Sequence, residues 1–399
     1  MTAIEEELLN ALAAFVKGTA PKIGQEGDEA QFGQFVGLAR EHGVLSYLLD
    51  YAERNSAMPE VFRNIIKTEA VSSVPAYYGL LISARDITKR FEEAGIVSIV
   101  LKGAAIAAYY REPEIRKSGD IDILLPDRDY KDSAGKILEE MGFVPESESH
   151  SLHHDGYKRG QIEVELHTLL TEPFDNSEAN VFLEKCAAGC GSHRVFKEIS
   201  GVTLPVLDDG YQAFEILLHM LGHFLRAGFG LKFLCDFSIF WSSGISDESR
   251  EVYLKLVKEC RIKGFSDAVT NICTEYLGLS DDFRKLLDSG DTQTEPFLEE
   301  ILSSGEFGNS SKNRMVSLRN DSLIGLFREF HHQMHLNFPK SGKIFIIWPI
   351  LWTVTLFKFL RNNAKIRKVS GREIIKNARK RGRITEQMNL FSQIEDDGS

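Results

Sequence analysis

The run at 96–101, Ile-Val-Ser-Ile-Val-Leu, admits few structures. It is short, β-branched and nearly all apolar, which predicts a strand buried on both faces. Such a strand needs a layer of structure on each side of its sheet. Lys102-Gly103 ends the run, and 104–110 reads as a helix. Gly119 then precedes a second strand at 120–125, Asp-Ile-Asp-Ile-Leu-Leu, closed by Pro126. Residues 127–142 read as a helix stopped at Gly142. A third strand, 161–167, alternates. Ile162, Val164 and Leu166 fall on one face, and Glu163, Glu165 and His167 on the other.

Both flanks read as helical. Leu8, Leu9, Leu12, Phe15 and Val16 recur at helical spacing, as do Phe32, Phe35, Val36 and Ala39. Beyond about residue 205 the pattern is helical again, clearest at 211–225 and 231–241, with a Ser/Gly-rich loop at 303–311. This divides the chain into an N-terminal helical region (1–94), a core (95–175), a C-terminal helical domain (176–343) and an apolar run with a basic helical tail (344–399). The expected class is α+β, a small mixed sheet flanked by helices.

Charge is unevenly spread. The 399 residues carry a net −11. Residues 358–383 hold eleven Lys/Arg and one acid, a local +10, leaving −21 elsewhere. The acidic balance argues against stable DNA binding. The basic tail suits docking on the acidic remainder, a peripheral membrane contact through 344–383, or RNA. The uncharged run at 344–357 is fourteen residues, short of the roughly 20 needed to span a bilayer. The N-terminus has no secretion signal. The five cysteines include no CxxC, which argues against a disulfide framework. Together these predict a cytoplasmic protein, with membrane-peripheral attachment as an alternative.

Asp120 and Asp122 carry the chemistry. Period two puts both carboxylates on one strand face, their Cβ atoms about 6–7 Å apart. They repel unless a cation lies between them. Mg²⁺ (or Mn²⁺) prefers oxygen ligands and also takes substrate phosphate oxygens. A third carboxylate from the next strand, Glu165 or Glu163, would complete a two-metal site for in-line nucleotidyl transfer. The plainer alternative is a solvated acidic face.

Leu101-Lys102-Gly103-Ala104-Ala105-Ile106, Tyr110, Arg116, Gly119-Asp120-Ile121-Asp122-Ile123-Leu124, Gly142-Phe143 and Val164-Glu165-Leu166-His167 closely resemble a bacterial family of uncharacterised nucleotidyltransferases in the polymerase-β-like superfamily. The resemblance is specific over about 90–170 and weaker outside, including Gly305-Glu306-Phe307-Gly308. It implies a small polymerase-β-like core and transfer of a nucleoside monophosphate from an NTP to a hydroxyl, with release of pyrophosphate. It makes Asp120 and Asp122 metal ligands, and Glu165 the third carboxylate and general base. The superfamily usually carries Gly-Gly or Gly-Ser after the first strand, where this chain has Lys102-Gly103. Gly103 still permits close backbone approach, and Lys102 would bring positive charge to the triphosphate. The motif gives Arg116 to a phosphate, with a structural ion pair as the alternative. His167 would orient Glu165 or touch substrate. The closing Glu-Leu-His is similar to the end of the core in antibiotic nucleotidyltransferases, which favours a small-molecule acceptor. A protein or tRNA acceptor, or an inactive nucleotide-binding adaptor, are the alternatives.

Three further groups invite a reading. Glu215, His219 and His223 lie on one helix face, with Met220 where a zincin carries its glutamate. They predict a polar stripe facing the cleft, near Lys232 and Asp236, or histidines satisfied in the core. His150, His153, His154 and Tyr157 read as a solvated loop. Cys186 and Cys190 read as buried thiols.

Overall fold

The computed structural model describes residues 1–24, 27–146, 154–174, 176–226, 228–290 and 294–305, and beyond them 331, 334–335, 338, 345–362 and 382–391. Outside these lie the loop reading at 306–311, residues 306–308 of the weaker motif, His150 and His153, and 363–381 of the basic tail.

Four helices come first: α1 (Ala3–Lys17), α2 (Glu29–Glu41), α3 (Leu49–Arg54) and α4 (Glu60–Glu93). The core follows as β1 (Ile99–Leu101), α5 (Lys102–Ala107), β2 (Asp120–Leu124), α6 (Lys131–Glu140), β3 (Val144–Pro145), β4 (His154–Arg159) and β5 (Ile162–His167). Then come α7 (Ser177–Gly189), a hairpin of β6 (Arg194–Ile199) and β7 (Val202–Leu207), and six helices. These are α8 (Asp209–Arg226), α9 (Leu231–Ser242), α10 (Asp247–Glu259), α11 (Lys263–Tyr276), α12 (Asp282–Leu286) and α13 (Glu295–Ser304). A further helix, α14, is Trp348–Asn362.

The main sheet is mixed, as expected, in the order β1-β2-β5-β4-β3. β2 and β5 are parallel, and the other neighbours antiparallel. Ile121, Ile123, Val164 and Leu166 point together into a cluster with Leu81, Ile87 and Phe91 of α4 and Leu138 of α6. Side chains alternate along strands, so this burial turns the acidic positions of β2 and β5 to the opposite face. A larger cluster joins Leu12, Leu48, Phe214, Leu234 and Phe265, and takes in Ile99, Leu101 and Leu124 from the sheet. The N- and C-terminal helical regions thus share one core.

Three local readings change. The first strand begins at Ile99, not 96, because Gly95 turns the chain at positive φ just after α4. Residues 154–159 form β4 rather than a loop. Tyr157 is buried in the sheet's core against Gly135 of α6, where a Cβ would fall 2.4 Å from its hydroxyl. The β6–β7 hairpin carries no strand signal in the reading above. Its turn, Ser200-Gly201, has positive φ at both residues, the conformation that two-residue hairpin turns favour.

Candidate functional site

The register of β2 on β5 builds the site. Asp120 lies opposite Glu163, and Asp122 opposite Glu165. All four carboxylates therefore share one sheet face, and all four line a cleft of 470 Å³. Lys102, Gly103 and Arg116 line it from the β1 side, and His219, His223, Arg226 and Lys232 from α8 and α9. A slightly larger cavity of 510 Å³ among the N-terminal helices holds none of these residues.

Asp122 is the hub. It is buried, and its Oδ1 accepts hydrogen bonds from Lys102 Nζ and His167 Nε2, each at 2.7 Å. The same His167 nitrogen lies 3.2 Å from Glu165 Oε2. Burial opposes charge on Asp122, but Lys102 and His167 outweigh it and hold the carboxyl well below the usual range. Burial likewise opposes charge on Glu165, and the His167 hydrogen bond helps bring its pKa down. Asp120 behaves oppositely. The neighbouring Asp122 charge, then burial, pushes it up to about 7. Burial disfavours the Lys102 ammonium, yet Asp122, Glu215 and Glu165 raise its pKa.

Lys102 also has φ +46°. A side chain there costs about 1 kcal/mol relative to glycine. The left-handed position of the Lys102-Gly103 pair is thus the lysine and not the glycine. Gly103 is buried, and a Cβ on it would sit 3.4 Å from Ser118 Oγ.

The donor set fits a divalent cation. Asp122, Glu165 and His167 each offer an atom within 4.8 Å of the others. Asp120 adds a further oxygen donor on the same face. The ammonium on Asp122 shows that the pocket accommodates positive charge.

Arg116 takes the ion-pair alternative, with a partner 120 residues away rather than in its own loop. Its Nε and Nη2 donate to Asp236 Oδ1 and Oδ2 of α9 at 2.7 and 2.8 Å. Nη1 donates to the Gly103 carbonyl at 3.1 Å and to Ser118 Oγ at 2.9 Å. Tyr110 donates its hydroxyl hydrogen to Asp236 Oδ1 at 2.6 Å. The guanidinium thereby ties the loop before β2 to the helical region.

His219 and His223 face the cleft with their Nε2 atoms 2.8 Å apart. Burial, then the Lys102 charge, depresses both pKa values, His223 to about 3. As neutral rings, one donates and the other accepts. Glu215 sits beneath them, fully buried, accepting from Gln212 Nε2 at 3.0 Å. Burial raises its pKa to about 7.

The sequence reading missed Arg226 and its partner Glu172, 2.7 Å away, both in the cleft wall. The spacing was available, because Arg226 follows His223 by three and continues the same helix face. Lys158 of β4 pairs with Glu163 directly opposite it on β5.

A family model described as "Uncharacterised nucleotidyltransferase" matches residues 28–278, well over half of the 399-residue chain. No curated protein matches the chain. The solved structures similar to it include two at 13% identity. The antibiotic-resistance factor ANT(2'')-Ia has a TM-score of 0.31 and covers 45% of this chain and 90% of its own. An antigenic nucleotidyltransferase-like protein from Paracoccidioides brasiliensis has a TM-score of 0.32 and covers 55% of this chain and 94% of its own. With four carboxylates in register along its cleft, the chain belongs to the uncharacterised nucleotidyltransferase family and is an enzyme of that class.

Proposed function

We propose that the protein moves a nucleoside monophosphate from an NTP to a hydroxyl of a small molecule, with Mg²⁺ or Mn²⁺, releasing pyrophosphate. The observation carrying this reading is the Asp122–Glu165 register pair, with Asp120 beside it on the cleft-facing side of the sheet. Asp120, Asp122 and Glu165 would hold the metal, with His167 orienting the Asp122 and Glu165 carboxylates. When bound, it supplies charge neutralisation at the phosphates and orientation of the acceptor.

The chain's own groups do the rest. Glu165 is held ionised, so it can take the proton of the acceptor hydroxyl as the acceptor oxygen bonds to the α-phosphorus. The α–β phosphoanhydride bond breaks, and pyrophosphate carries away its electron pair. His167, 3.2 Å from Glu165, fixes that carboxylate. Lys102, Arg226 and Lys232 bring positive charge to the cleft, while Arg116 positions the Gly103 backbone. α8 and α9 wall the cleft opposite the carboxylates, leaving a volume of the size that takes small ligands. This favours a small acceptor over tRNA or a folded protein.

Incubation with labelled ATP, CTP, GTP and UTP and a panel of hydroxylated small molecules tests the reading. Label transfer is expected to fall by about a thousandfold in Asp120→Asn and Asp122→Asn. Transfer retained in both variants overturns it. Mg²⁺-dependent NTP binding without turnover would indicate the inactive binding protein instead.

A second reading concerns α14. Leu351 and Thr355 are buried one turn apart, while Ile350, Val354 and Phe357 are exposed, as are Phe345 and Ile346 just before. The +10 segment follows directly in sequence. Apolar exposure beside a basic run suits the surface of an anionic membrane. Among the described residues, no helix is long and apolar enough to cross a membrane. Co-flotation with anionic vesicles at low salt is the expected result. Binding to RNA but not to vesicles would replace this reading with the RNA alternative.

A further inference from the structure

Lys102 holds a strained backbone in order to place an ammonium on Asp122. Its φ of +46° is one that glycine adopts freely and lysine does not. Its Nζ is 2.7 Å from Asp122 Oδ1, and the two side chains are 16% and 2% exposed. That same oxygen already accepts from His167. Buried Glu215 and the carboxylate of Glu165 also attract the ammonium. The lysine therefore sits within the ligand cluster of the cleft, on an oxygen that a divalent cation would need.

We propose that Lys102 is a resident counter-cation for Asp122, one that gives up this carboxylate oxygen to the incoming divalent cation and takes the NTP triphosphate in exchange. The inference rests on the nucleotidyltransferase reading of the cleft. Its consequence is ordered loading. A metal arriving alone must displace an ammonium that has no better partner, so it binds weakly. A metal arriving with a triphosphate provides the displaced ammonium with a new anion, so the two bind cooperatively. The lysine holds the acidic cluster together before substrate arrives and discourages metal uptake without nucleotide.

The test is Mn²⁺ binding to the full chain, read from the electron paramagnetic resonance signal of free Mn²⁺. Titrations are run without nucleotide and with α,β-non-hydrolysable analogues of the four NTPs. In wild type, an analogue is expected to tighten Mn²⁺ by about tenfold, within the usual range of coupling between sites. K102G should bind Mn²⁺ without nucleotide about tenfold tighter than wild type, and should gain less from the analogue. Glycine suits the backbone at this position. K102M, which keeps side-chain bulk, should behave in the same way. K102R, which retains a cation, should keep the wild-type pattern. Equal nucleotide-free affinities in wild type, K102G and K102M would overturn the counter-cation role while leaving the enzyme reading intact. Absence of Mn²⁺ uptake by all of them, with or without analogue, would overturn the metal-dependent reading and this inference together.

Discussion

A carboxyl with no exposure and one hydrogen bond is costly to bury, and Glu215 is such a group. Its pKa is raised from 4.5 to about 7, chiefly by burial. Below pH 4.5 both folded and unfolded chains hold the proton, and the group costs nothing. Between 4.5 and 7 the unfolded chain releases it first, so stability falls as pH rises. Above 7 the cost is constant, on the order of 3 kcal/mol. Glu215→Gln keeps an acceptor for Gln212 and removes the ionisation. Urea unfolding should therefore show a small gain for the variant at pH 5 and on the order of 2–3 kcal/mol at pH 8. An equal gain at both values would mean that the effect is not the buried charge. At this scale the sequence was partly legible. Asp-x-Asp reveals a shared face because strand side chains alternate strictly. The left-handed lysine was not legible, because a positive φ at a residue other than glycine leaves no mark in the sequence.

Between elements, a buried ion pair ties the loop before β2 to α9. Arg116 and Asp236 are 5% and 3% exposed and pair through two hydrogen bonds. Removing one partner strands a buried charge, at a cost of about 3–5 kcal/mol. Asp236→Ala, which also deprives Tyr110 of its acceptor, and Arg116→Met should both lower the urea midpoint by that order. The Arg116→Met/Asp236→Leu double variant should be destabilised by clearly less than the sum of the single ones, because it leaves no orphan charge. Additive losses would show that the pair is not a coupled unit. Arg116 could be flagged by its motif, but its partner lay 120 positions downstream, beyond any local period. The β6–β7 hairpin escaped for a related reason. β6 exposes the consecutive apolar residues Val195 and Phe196, one on each face, and β7 contains Pro205, which blurs the alternation that marks a strand.

Across the whole molecule, the helical regions that read as separate flanks close over one core. α14 packs through Leu351 and Thr355 and turns Ile350, Val354 and Phe357 outward. Single exposed apolar residues are ordinary, but a stripe at three- and four-residue spacing, followed in sequence by a +10 segment, is the feature behind the proposed membrane contact. Each Lys or Arg held near an anionic leaflet contributes about 1 kcal/mol, and the attraction fades within a Debye length of about 8 Å at physiological salt. Binding to phosphatidylserine-containing vesicles should therefore be strong at low salt and weaken steeply as salt rises. Vesicles of neutral lipid should bind little. Ile350→Glu/Phe357→Glu should reduce flotation at low salt while leaving nucleotide transfer in solution unchanged, because neither residue lines the proposed catalytic cleft. Flotation that ignores both salt and these substitutions would assign the stripe to a different partner.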